Sequence, residues 1–210
     1  MKREEFEDCL HRQSSLLERI RLAAHELHEH VNQHYSGNLP YGYHLDAVAA
    51  CVREFGHEVC MEATDVVPLV FSAYYHDSIE DARLTYNDVM RHAQTAGGME
   101  EEKARLATEI VYALTNEKGR NRAERANEKY YAGIRQTPYA PFVKASDRLA
   151  NMRYSFRLTS PSNIRMMKVY AGEWEHFIRS IRGNDDDVRL SVPDSLVGQI
   201  EGLIKGVGAL

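Results

Sequence analysis

The heptapeptide Tyr75-His76-Asp77-Ser78-Ile79-Glu80-Asp81 carries a His-Asp pair followed, at helical spacing, by a second acidic pair. An imidazole and a carboxylate are ligands for a divalent ion, and a further carboxylate one turn away can accept a proton from water. Adjacent side chains diverge on a regular helix, so His76 and Asp77 reach one ion only near a helix end. The run from Val66 to Tyr75 leads into the pair and reads as a buried helix, so the acidic cluster lies where a core helix surfaces. An unpaired charge there is costly, and a metal ion is the simplest partner.

His44 and Asp147 complete a candidate ligand set with His76 and Asp77. Mixed imidazole and carboxylate donors favour Mn, Fe or Mg over zinc in a thiolate cage. Four protein ligands on a six-coordinate ion leave two positions, enough for a water and a phosphate oxygen. In the segment Lys144 to Arg153, helical spacing puts Asp147 and Asn151 on one face with Lys144 beside them. A carboxylate, an amide and an ammonium together suit a metal and an anionic ligand. The segment Lys118 to Arg125 is locally basic, as a polyphosphate requires, with Lys118, Arg122 and Arg125 as candidate contacts. His25, His28, His30 and His34 lack a convergent third ligand and are expected at the surface.

Helical periodicity must position these groups. Phe6, Leu10, Leu17, Ile20, Ala24, Leu27 and Val31 recur at steps of three and four, interrupted only at Gln13, and predict one long amphipathic helix. Ser36-Gly37-Asn38-Leu39-Pro40 breaks it. Further helices are expected over about 44–59, from Thr64-Asp65 as N-cap to near His76, and from Thr85 with a Thr85/Asp88 capping box. Others follow over about 100–114, 122–134 and 139–154, and after Ser160-Pro161. The expectation is an all-α globule of about seven to nine helices, with residues 1–183 as one domain and 184–210 as a tail packed on it.

Composition bounds the function. The 210 residues are 43% hydrophobic and 27% charged, with a formal charge of −5, which argues against a general binder of polymeric nucleic acid. No apolar run approaches bilayer length and the N-terminus is not a signal peptide, so a cytoplasmic protein away from membranes is expected. Cys9, Cys51 and Cys60 read as buried, reduced thiols. The first helix and the 164–178 face either hold a homodimer or complete the core.

The order His44, His76-Asp77, Asp147 resembles the HD-domain metal-dependent phosphohydrolases. The finer pattern resembles the RelA/SpoT hydrolase branch in Pro40-Tyr41-Gly42-Tyr43-His44, in His76-Asp77 with Glu80-Asp81, in Leu114-Thr115-Asn116-Glu117-Lys118, and in Lys144 through Asn151. The likeness covers roughly residues 15 to 160. It implies an HD-domain helical globule, an Mn-type ion, and removal of pyrophosphate from the 3′ position of guanosine tetra- or pentaphosphate, as in stand-alone small alarmone hydrolases. It also implies Glu80 as proton acceptor with Asp81 in support, and Tyr41, Lys118, Lys144 and Asn151 at the nucleotide. Leu45 stands where the family has proline. His34 and Tyr35 stand near the family's base-packing arginine, which makes Tyr35 a candidate for stacking on a purine. The alternatives are an HD phosphohydrolase acting on another nucleotide or phosphate ester, and a non-enzymatic helical module.

Overall fold

A computed structural model describes residues 1–116, 119–157, 160–184 and 186–207, without the side chains of Arg122 and Ala123. The chain is all-α, with 74% of residues helical and 2% in strands. Two elements expected as single helices are split. The first becomes α1 (Arg3–Arg12) and α2 (Ser14–His30), because Gln13 leaves helical geometry at φ −95°, ψ 8°. The second becomes a four-residue α7 (Arg122–Arg125) and α8 (Glu128–Gln136), where Asn127 caps the new start by accepting from the Tyr130 amide.

Three helices form the centre. They are α3 (Gly42–Phe55), α4 (Val66–Tyr75) and α9 (Ala140–Arg157), and each packs against the other two. Nine of the ten α4 residues are buried, as its apolar sequence requires of a helix covered on all sides. Pro68 costs little within the first turn, where amides lack helical partners anyway. The expected N-cap role of Asp65 is not realised, and its side chain makes no capping bond. Its buried carboxylate instead accepts from Lys103 Nζ at 2.6 Å and from the Tyr139 hydroxyl at 2.6 Å. Asp65→Ala strands both donors and is expected to cost about 3 kcal/mol, read as a lower midpoint in urea unfolding.

Around this centre lie α5 (Tyr86–Thr95), α6 (Glu101–Leu114), α10 (Pro161–Ile181) and α11 (Asp194–Val207). The capping box at α5 forms in both directions between Thr85 and Asp88. Ser160 caps α10 and Pro161 takes its first position. Leu196 and Ile200 of α11 are buried, and the helix packs on α9 and α10. Between α2 and α3, a two-residue antiparallel pair matches His34 with Pro40 and Tyr35 with Leu39. Gly37 turns it at φ 91°, a left-handed conformation natural to glycine. Arg21 and His25 of α2 grip Asp46 of α3 at 2.7 and 3.1 Å, fixing the approach of α3. Among the described residues no helix is long and apolar enough to cross a membrane. All three cysteines are free and buried.

Candidate metal centre

His44 lies on the first turn of α3, and His76 caps the end of α4, its own backbone still α-helical at φ −55°, ψ −32°, before the chain continues as turns. That turn lets neighbouring side chains converge: His76 Nε2 and Asp77 Oδ2 are 2.9 Å apart. His44 Nε2 lies 3.2 Å from His76 Nε2 and 3.6 Å from Asp77 Oδ2. His44, His76 and Asp77 thus form a group that can hold a metal ion. From α9, Asp147 Oδ1 approaches the two imidazoles at 3.3 and 3.9 Å. Two atoms each ~2.1 Å from one ion, at right angles to each other, lie about 3.0 Å apart. The observed spacings suit neighbouring donors around a single ion.

The imidazoles are oriented for that role. His76 Nδ1 is 2.8 Å from the Ala73 carbonyl, so its N–H points there and its Nε2 lone pair faces the cluster. Tyr35 stacks on the His44 ring at 5.0 Å and 12°. The carboxylates are held as well. The Tyr41 hydroxyl donates to Asp77 at 2.5 Å, while Asp147 accepts from Lys144 at 3.2 Å and from Asn151 at 2.6 Å. Asn151 in turn accepts from the Tyr35 hydroxyl at 2.9 Å. Lys144, Asp147 and Asn151 therefore share one face of α9, as their spacing predicts.

The carboxylates around His76 favour a proton on its ring. Burial opposes charge on His76, but the Asp77 and Asp147 carboxylates raise its pKa to about 9. Burial would likewise raise Asp77, yet the His76 imidazole holds it well below the usual carboxylate range. Asp147 is also depressed against its burial, chiefly by Lys144 and His44. A raised imidazole pKa stabilises the metal-free fold fully below its ordinary value of 6.5, and that stability fades as pH climbs through 9. A metal must displace this proton. Apparent Mn(2+) affinity is therefore expected to tighten by about tenfold per pH unit toward pH 9 and then level off. Competition titrations with a chelator between pH 6.5 and 9.5 check this, and a flat profile contradicts it.

The centre opens on a cleft of about 670 Å³, a volume suited to a small-molecule ligand. Tyr35, Tyr41, Lys144, Asn151 and Arg125 all line it, as does Asp81. Burial and then the Asp77 charge raise the Asp81 pKa. Glu80 is not among the lining groups. It stands exposed, accepting from the Asn116 amide at 2.6 Å and from its side chain at 3.0 Å. Lys118 and the Arg122 side chain lie outside the described residues.

No family model matches the chain, and no curated protein matches it.

Several groups at the site were not foreseen. Arg148, Tyr130, Tyr131, Tyr170 and Glu173 also line the cleft. Tyr170 falls on the 164–178 face of α10, expected at a dimer seam or in the core. Arg148 is only 8% exposed. His28, expected at the surface, is buried and stacks on Tyr41 at 4.5 Å, with neither ring nitrogen partnered among the described residues. Burial lowers its pKa to about 4. The helical face that buries Ala24 and Leu17 carries His28 inward too, a periodicity signal outweighed by its polarity.

Proposed function

We propose that this chain is a metal-dependent phosphohydrolase of the HD-domain type, removing the 3′-pyrophosphate of guanosine tetra- or pentaphosphate. The observation that carries the reading is the meeting of His44, His76, Asp77 and Asp147, from three separate helical segments, at a cleft that also presents Lys144 and Arg125. The donor set, two imidazoles and two carboxylates, suits Mn with Fe or Mg as alternatives. When bound, such an ion supplies Lewis acidity to a phosphoryl oxygen and acidifies a water.

The chain's own groups supply the rest. Lys144 and Arg125 offset the charge of the phosphates. Asp81, lining the cleft, takes the proton from the attacking water as its oxygen bonds to phosphorus and the bond from phosphorus to the 3′ oxygen breaks, and returns it to that oxygen, which leaves as the 3′ hydroxyl. Glu80 holds Asn116, just beyond α6, at the cleft rim. Tyr41 and Asn151 keep Asp77 and Asp147 in their orientations.

A second reading, the same centre acting on another phosphorylated nucleotide, is favoured by Tyr35, which spends its hydroxyl on Asn151 and its ring on His44. Incubating Mn-loaded protein with 3′-pyrophosphorylated guanosine and adenosine nucleotides, and with ordinary mono- and triphosphates, separates the two. Released pyrophosphate is the expected product. Single-phosphate release alone favours the second reading, and no hydrolysis of any member rejects both.

A further inference from the structure

The resemblance leads one to expect the base of a nucleotide beside Tyr35, yet the protein itself occupies that position. The Tyr35 ring is stacked on His44 at 5.0 Å and on Tyr43 at 6.2 Å, and Tyr154 meets it edge-on at 4.8 Å. Its hydroxyl already engages Asn151. A base could stack there only by displacing a ring that steadies a metal ligand.

Another part of the cleft lining is built differently. Arg148 lies one turn beyond Lys144 on α9, a rise of ~6 Å from the phosphate-facing end. Its guanidinium sits 4.1 Å from the Phe177 ring centre and 4.7 Å from that of Tyr170, both on α10. Glu173 lies 3.4 Å from Arg148 Nη1. A guanidinium is planar, weakly hydrated and suited to stacking, and Arg148, only 8% exposed and packed against both rings and a carboxylate, fixes the half-buried Tyr170 ring at the cleft. Tyr131 of α8 closes the same end, edge-on to His176 at 5.6 Å. Aromatic faces are the chemistry that holds a base without reading its edge.

We propose that the α8–α10 wall, with Tyr170 at its centre and Arg148 backing it, is the subsite for the planar base of the nucleotide, leaving Tyr35 to position His44 and Asn151. This assignment rests on the phosphohydrolase reading but has its own test. For Mn-loaded protein, kcat/KM is measured on a 3′-pyrophosphorylated guanosine nucleotide and on inorganic tripolyphosphate, which has no base. Tyr170→Ala is expected to lower the ratio of the two by about tenfold or more, mainly through KM for the nucleotide. Tyr170→Phe, which keeps the ring, should restore it, and Tyr35→Leu should reduce both substrates alike. An unchanged ratio in Tyr170→Ala, or a ratio lost in Tyr35→Leu instead, overturns the assignment. If no substrate is cleaved, the phosphohydrolase reading fails by itself. Calorimetry with GDP then still decides the subsite: it stands if the wild type binds and Tyr170→Ala binds about tenfold more weakly, and falls if binding is absent or equal.

Discussion

Asp77→Asn is expected to abolish stoichiometric Mn(2+) binding and to lower turnover by about a thousandfold or more, since the stabilisation supplied by a bound ion amounts to several kcal/mol. The amide keeps the size of the carboxylate and can still accept from Tyr41, so packing is preserved while the negative donor is lost. Asp77 also raises the pKa of its neighbour, so the variant should release the His76 proton well below pH 9. Metal content per chain after desalting, and imidazole titration followed by NMR, check both consequences. One tightly bound ion per chain in the variant would remove Asp77 from the ligand set.

Asp81→Asn is the second large effect. It should retain the ion and lose about 10² to 10⁴ in kcat, the usual contribution of a positioned proton acceptor. Glu80→Gln is the informative companion. Because Glu80 faces Asn116 at the cleft rim, its loss is expected to lower kcat by no more than about tenfold, far less than the loss of a direct acceptor. The reverse ranking, with Glu80→Gln the more damaging, would make Glu80 the proton acceptor. Metal analysis belongs beside both, since a variant without its ion reports nothing about proton transfer.

The helices, and the His44, His76 and Asp77 group that can hold a metal ion, were largely legible from sequence, most of them through a local signature. Heptad-like apolar spacing marks α2 and α10, the Thr85/Asp88 box marks α5, and the His76-Asp77 pair marks the end of α4. A single residue, Gln13, decides whether the first element is one helix or two, and no local pattern fixes that choice. Asp65 was legible as a helix opener but not as a buried acceptor, because its partners Lys103 and Tyr139 are distant in sequence. The contribution of α10 to the cleft was hidden for a similar reason. Tyr170 and Phe177 follow the same stripe whether they cover a core or a ligand, and only the approach of α9 places Arg148 between them.

The helix that forms the floor of the cleft is also one of the most enclosed in the molecule. Residues 140, 141, 142, 143, 145 and 146 of α9 are all buried, and Asp147 follows directly. Amide hydrogen exchange along this stretch should accordingly proceed only through global unfolding, whereas the short α7 segment exchanges through local opening. Chelation would then strip the ion while leaving the scaffold intact and ready to reload. In this respect the chain differs from small metal-dependent domains that fold only around their ion.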